Sequence, residues 1–246
     1  MDKEKRTIEQ QITAWEAQRA IKNLMGKYVN TLLLNRDFNV FDSFWANAED
    51  VCLGFNEGWY RGPEAVKAYY DACTDRNKLV AELLQKHFPE KLGDKSAEEI
   101  YGIGTMKIYP LYTPVIEVAD DNKTAKGLWS CMGSHCDVDP VGPLARYLWG
   151  YYAADFVNEG GAWKIWHLQF VHDIDGVVGQ NWGMPEPEYP DIPEFAPLKD
   201  FAYPEFTEKE TLRSAYSPNK IPDKTPRIPE PYGTFSETFS YAVKGA

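Results

Sequence analysis

The 246-residue chain is poor in cysteine and in histidine, with four of each. The cysteines, Cys52, Cys73, Cys131 and Cys136, include no CxxC pair. Cys131 and Cys136 stand five apart in one expected strand, so they point to opposite sides and do not bridge. Reduced, partly buried thiols are expected. The histidines, His87, His135, His167 and His172, show neither HxxxH nor HxH spacing, so no metal site is expected. Basic charge is in deficit as well: 26 Lys and Arg stand against 37 Asp and Glu, a net charge of −11. No basic stripe is available to collect phosphates, which excludes nucleic acid as a partner and argues equally against an anionic membrane surface. No apolar run approaches the roughly 20 residues of a spanning helix, and the start Met1-Asp2-Lys3-Glu4-Lys5 is charged where a secretory leader is apolar. A cytoplasmic protein is expected.

Aromatic residues are plentiful, with 8 Trp, 15 Tyr and 12 Phe, which favours a large core or an aromatic-lined cavity. Residues 7 to 34 carry apolar side chains at roughly helical spacing (Ile8, Ile12, Trp15, Ala20, Ile21, Leu24, Met25, Tyr28, Leu32). A short helix is expected over Asp37 to Trp45, and short strands over Val51 to Phe55 and Gly58 to Arg61. Gly62-Pro63-Glu64 opens a helix through Cys73, with proline in the first turn, where its missing N–H costs nothing. Residues 75 to 101 are charged and helical in composition and read as an insertion. Four longer strands follow, Thr105 to Ala119, Thr124 to Asp137, Tyr147 to Asn158 and Ala162 to Ile174. Helices first and an antiparallel meander afterwards make an α+β arrangement. The domain is expected to span residues 1 to 178. Beyond it, over 179 to 246, lies an arm with 11 of the 17 prolines between Pro185 and Pro231, interleaved with Tyr, Phe and Glu. Such a segment has no core of its own, and its aromatics predict packing on the domain or on a neighbouring subunit.

The stretch Gly150 to Asp173 is the most informative. Two β-type runs flank the Gly160-Gly161 turn, and the second alternates: Trp163, Ile165, His167 and Gln169 on one side, Lys164, Trp166, Leu168 and Phe170 on the other. The imidazole and amide among apolar neighbours place a ligand pocket on the first side. The apolar second side, with the arm, predicts a homodimer or homotrimer.

A family resemblance rests on particular segments. Ala20-Ile21-Lys22-Asn23-Leu24 through Tyr28, then Gly58, Gly62, Glu64-Ala65-Val66 and Tyr69, resemble the front half of the nuclear transport factor 2-like superfamily, and more narrowly a SnoaL-like domain. Tyr112-Thr113-Pro114-Val115-Ile116-Glu117-Val118, Thr124-Ala125-Lys126-Gly127 with Trp129, and Trp163-Lys164-Ile165 resemble its later strands. The resemblance covers roughly residues 8 to 178. It implies a cone of curved antiparallel sheet closed by helices around an apolar pocket. Its enzymes include ketosteroid isomerase, scytalone dehydratase, bile-acid 7α-dehydratase, limonene epoxide hydrolase and a lignin-dimer formaldehyde lyase, most of them needing no cofactor. Other members only bind ligands.

Carried across residue by residue, Tyr28 matches the helix tyrosine that hydrogen-bonds substrate oxygen in dehydratase relatives. Leu33 stands nearest to where that helix usually bears an acid. Tyr112 replaces the histidine of the bile-acid dehydratase pattern and Gly133 its aspartate, so that dyad is not reproduced. Replacement groups are sought nearby. His135 shares a strand face with Trp129 and Cys131; His167 and Gln169 read as inward; Asp155 shares a parity with Tyr151 and Trp149. The expected acid–base set is therefore His135, His167, Tyr28, Tyr112 and Asp155, with Trp59, Tyr60, Trp129, Cys131, Tyr151 and Gln169 as pocket wall. His172 reads as an interface residue and His87 as a solvent-exposed helix end. The expected activity is a cofactor-independent lyase, dehydratase or isomerase acting on a hydrophobic, ring-containing small molecule by loss of water or formaldehyde. The alternatives are a non-catalytic hydrophobic small-molecule binding protein and epoxide hydrolysis with Asp155 as base.

Overall fold

The computed structural model describes residues 6–35, 37–184 and 186–246; the charged start Met1-Asp2-Lys3-Glu4-Lys5 and Pro185 lie outside them. The first helix, α1 (Ile8–Leu33), begins at a capping box in which Thr7 and Gln10 satisfy each other's backbone N–H. Its buried stripe is Ala14, Ala17, Ile21, Met25, Tyr28, Val29 and Leu32. Ile8, Ile12 and Trp15, read above as part of that stripe, are exposed. A 3₁₀ turn leads into the short α2 (Val40–Phe44), then β1 (Cys52–Phe55) and β2 (Gly58–Arg61). Helix α3 (Pro63–His87) does not stop at Cys73. Nothing from Thr74 to His87 interrupts it, and Tyr70, Cys73, Asn77, Val80 and Ala81 continue one buried stripe until Pro89 starts the single-turn α4 (Pro89–Leu92).

Five further strands complete the sheet: β3 (Met106–Ile108), β4 (Leu111–Val118), β5 (Thr124–Asp139), β6 (Gly142–Glu159) and β7 (Ala162–Val177). With the two-residue β8 (Glu208–Lys209) from the arm, the order is β3-β5-β6-β7-β1-β2-β8, and β4 also pairs with β5. All pairs are antiparallel except β1 with β7. This is the expected α+β cone: helices α1 and α3 pack into the concave face of a curved, unclosed sheet.

Strand β7 departs from the expected alternation. Asp155 pairs with His167 and Phe156 with Ile165, leaving Trp166 as an extra residue in a β-bulge. The outer flank of the bulge is tied down where Ala46 N–H donates to the Ile165 carbonyl and Trp166 Nε1 donates to Asp50 at 2.7 Å. A bulge shifts parity by one. Trp163 and Ile165 face the helices before it, and Leu168 and Phe170 face them after it, all buried in the same core. Leu168 and Phe170 are therefore interior residues, and the outer apolar face on which the dimer or trimer expectation leaned is not formed by them.

His167 and Gln169 go to the convex side, where the arm covers them. Gln169 Nε2 donates to the Tyr241 carbonyl at 2.7 Å. Asp155 accepts from Lys126 Nζ at 2.5 Å, His167 Nδ1 at 2.9 Å, Ser240 Oγ at 2.9 Å and Tyr241 N–H at 2.8 Å. The Lys126 ammonium sits 4.6 Å from the ring centres of Phe235 and Phe239 and 5.3 Å from that of Tyr241, all arm residues. Burial depresses its pKa, against the pull of Asp155 in the other direction.

Lys126 and Asp155 are both fully buried, so removing one partner strands the other charge in a dry site. Asp155→Ala is expected to destabilise the protein by about 3–5 kcal/mol in chemical denaturation, with much of the loss recovered on adding Lys126→Met. A loss well under 1 kcal/mol would mean that the pair is solvated.

Candidate active site

A cavity of about 190 Å³ lies between α1, α3 and the concave face of the sheet. The helix wall contributes Tyr28 and Leu32 from α1 and Tyr69, Tyr70 and Cys73 from α3. The sheet wall contributes His135 and Asp137 from β5, Leu148 and Tyr152 from β6, and Phe170 and His172 from β7. Lys107 and Tyr109 close one end, and Tyr203 of the arm stands at the mouth. Drug-sized ligands occupy roughly 300–1,000 Å³, while a cavity near 150 Å³ takes benzene. The space therefore matches about one ring.

Two pairs of polar groups face this space. On the helix wall the Tyr28 and Tyr70 hydroxyls are 3.0 Å apart in a shared hydrogen bond. Burial raises the Tyr70 pKa well above the ordinary phenol value, with the neighbouring Tyr28 adding to the rise, so Tyr70 remains a neutral donor. On the sheet wall, His135 and His172 each have a buried Nδ1 with no hydrogen-bond partner among the described residues. Their Nε2 atoms lie 3.8 Å from Asp137 and 3.7 Å from Asp175. Desolvation is the largest influence on both imidazoles and lowers both pKa values, outweighing the nearby carboxylates. Both are thus neutral near pH 7.

Of the residues expected from sequence, Tyr28 and His135 line this cavity. His167 and Asp155 meet each other on the convex side, because the Trp166 bulge reverses the face that alternation assigned to His167. Gln169 follows His167 for the same reason. Tyr112 is half exposed on β4, paired with Ser130 on the outer side of β5. Trp59 is buried on the convex side with Leu212, and Tyr151 lies beneath the Arg213 guanidinium. Tyr60 stands one layer behind the cavity, its ring 5.2 Å from that of Tyr69 and its hydroxyl donating to the Pro204 carbonyl at 2.9 Å. Trp129 packs edge-on against Phe156 in the core. Cys131 is fully buried and burial pushes its thiol up to about 12, so it is inert. The described cysteines form no disulfide.

The position of Gly133 explains why no aspartate stands there. A Cβ on Gly133 would come within 2.6 Å of the Tyr109 ring, so Tyr109 fills the space of a side chain. The sequence reading missed His172, Tyr109 and Tyr70. A second bulge, with Asp173 as the extra residue between the Gly150–His172 and Trp149–Ile174 pairs, lies just beyond His172. Helical spacing of Tyr70 from Val66 and Cys73 was the available signal for its inward placement. Among the described residues no three His, Cys, Asp or Glu side chains converge as a metal-binding set, and no helix is long and apolar enough to cross a membrane.

With this architecture in view, comparison with known proteins gives a consistent family. The SnoaL-like domain model matches residues 13–169, and the chain belongs to that family. Solved structures that align with part of the chain include a hexachlorocyclohexane dehydrochlorinase from Novosphingobium barchaimii (12% identity, 71% of this chain and 99% of that one, TM-score 0.46). A nuclear transport factor 2-like superfamily protein from Salmonella enterica (11%, 66% and 95%, 0.44) and a nuclear transport factor 2-like protein with a cystatin-like fold from Novosphingobium aromaticivorans (12%, 64% and 82%, 0.39) also align. No curated protein matches the chain in sequence.

The lowered imidazole pKa values set the sign of a pH dependence. Between the folded values and the unfolded value near 6.5 the unfolded state binds more protons, so stability rises with pH there. Denaturation midpoints should climb from about pH 5 to about 7. The His135→Gln/His172→Gln double variant should flatten that climb, and an unchanged slope would assign it to other groups.

Proposed function

We propose that the chain is a cofactor-independent lyase of the dehydratase type, acting on a hydrophobic single-ring small molecule by acid–base elimination. The observation that carries this reading is the pairing, across one small cavity, of two neutral imidazoles with unpartnered Nδ1 atoms and a hydrogen-bonded tyrosine pair. His135 or His172 takes a proton from carbon, and the electron pair of that C–H bond forms the new double bond. The C–O bond breaks, and the departing oxygen receives the Tyr28 hydroxyl proton and leaves as water. Tyr70, kept neutral by burial, stabilises the Tyr28 oxygen while it is short of its proton, which the imidazolium then restores. Loss of formaldehyde from a ring-bearing 1,3-diol uses the same groups: the imidazole takes the terminal hydroxyl proton, and that oxygen forms the formaldehyde C=O as the C–C bond breaks. The released pair forms the new C=C, and the C–O bond at the far carbon breaks, its oxygen taking the Tyr28 proton and leaving as water. The dry, aromatic walls strengthen each of these hydrogen bonds.

Mass spectrometry of the protein incubated with single-ring alcohols and aryl diols tests the proposal. Loss of water or formaldehyde from one of them is expected. The base variant, His135→Gln or His172→Gln, should lower turnover by roughly 10²–10⁴-fold, and Tyr28→Phe by a comparable factor, while binding persists. Recovery of bound but unchanged compound throughout would replace the lyase reading by that of a hydrophobic small-molecule binding protein.

A further inference from the structure

The C-terminal arm reaches the cavity at one point, Tyr203, and this contact lies beyond the segment matched by the family domain, residues 13–169. Tyr203 stacks on the cavity residue Tyr69, with ring centres 5.9 Å apart and planes 29° apart, and is met edge-on by Phe201 at 5.4 Å. It remains 43% exposed, as a residue at a mouth would be. Its position is fixed by the residues that follow it. The Tyr60 hydroxyl holds the carbonyl of the next residue, Pro204, at 2.9 Å, and the Phe206 ring sits 4.8 Å from that of Tyr60. Thr207 Oγ donates to the Trp59 carbonyl at 2.9 Å and accepts from Arg61 N–H at 2.8 Å, after which β8 pairs with β2.

We infer that Tyr203 is a specificity-determining residue that caps the cavity mouth and limits the ligand to one ring. The arm, anchored by the pairing of β8 with β2, brings Tyr203 to the cavity beside Tyr69. The acid–base steps proposed above assign no role to Tyr203. Its effect falls on which ligands enter.

This inference rests on the cavity being the ligand site, and the experiment separates the two. Binding of phenol and of 2-naphthol is measured by calorimetry on the full chain, for wild type, Tyr203→Ala and Tyr203→Trp, with thermal melts on all three. Wild type is expected to prefer phenol. Tyr203→Ala should shift the phenol-to-naphthol affinity ratio toward naphthol by about tenfold or more, in the range that hydrophobic pockets discriminate by size, and Tyr203→Trp should move it the other way. Phenol binding to wild type with the same ratio in both variants overturns the capping role and leaves the cavity intact as a site. No binding of either probe to any of the three proteins overturns the cavity reading and the capping role together. If Tyr203→Ala loses its melting transition, Tyr203→Trp decides the point alone.

Discussion

The single extra residue at Trp166 decides which residues of the last long strand line the cavity and which the arm covers. Without it, His167 and Gln169 would share the concave side with Ile165, and Leu168 and Phe170 would lie on the convex side. With it, Ile165, Leu168 and Phe170 join one core, and Phe170 stacks on Tyr152 at 4.2 Å to form the floor of the cavity. His172, two residues further along the same face, lines that cavity because of the same shift. A bulge removes one ladder position, and the surrounding chain offsets that loss through Ala46 and Asp50, which bind the strand on either side of it.

The convex side then carries a polar cluster that has to be covered. A sheet face presenting Lys126, Asp155, His167 and Gln169 in a row would hold water if left open, and the lysine–aspartate pair would be an ordinary surface contact of small worth. The arm changes its character. Phe235, Phe239 and Tyr241 surround the ammonium, Ser240 and the Tyr241 backbone fill the remaining acceptor sites of Asp155, and Gln169 holds the Tyr241 carbonyl. Burying two charges is expensive unless every hydrogen bond is made, and here each oxygen of Asp155 is used. The cluster thus fixes the arm's register on the domain. The bidentate Arg213–Asp173 contact, at 2.7 and 2.8 Å, does the same further back along the arm.

The class of fold was legible because it rests on features that a sequence states directly: the periodicity of α1, proline at the start of α3, the turn residues between long β-type runs, and a family-like order of motifs. The faces of β5 and β6 were legible too, since no bulge intervenes between them: His135 does share its side with Cys131, and Asp155 with Tyr151. What was not legible was parity after an unmarked bulge. Trp166 carries no glycine or proline to announce one, and its cause lies in residues over 110 positions away. The exposure of Ile8, Ile12 and Trp15 escaped for a related reason: helical spacing shows that a stripe exists, but not where along it the partner surface begins. His172 and His167 were correctly read as opposed; only the label of inside and outside was exchanged.

The two sides of the sheet hold similar chemical groups in opposite conditions, and this difference is a physical basis for assigning reactivity. On the convex side a histidine, a carboxylate and a hydroxyl form a closed set: the carboxylate accepts four donors, and the imidazole, held at Nδ1, is stacked against Trp166 at 4.3 Å. A carboxylate whose hydrogen bonds are all made is costly to move. On the concave side two imidazoles keep unpartnered nitrogens beside an open cavity, at a desolvation cost that lowers both of their pKa values. A ligand that donates to one of those nitrogens offsets that cost, which supports the roles proposed for His135 and His172 over the His167–Asp155 pair.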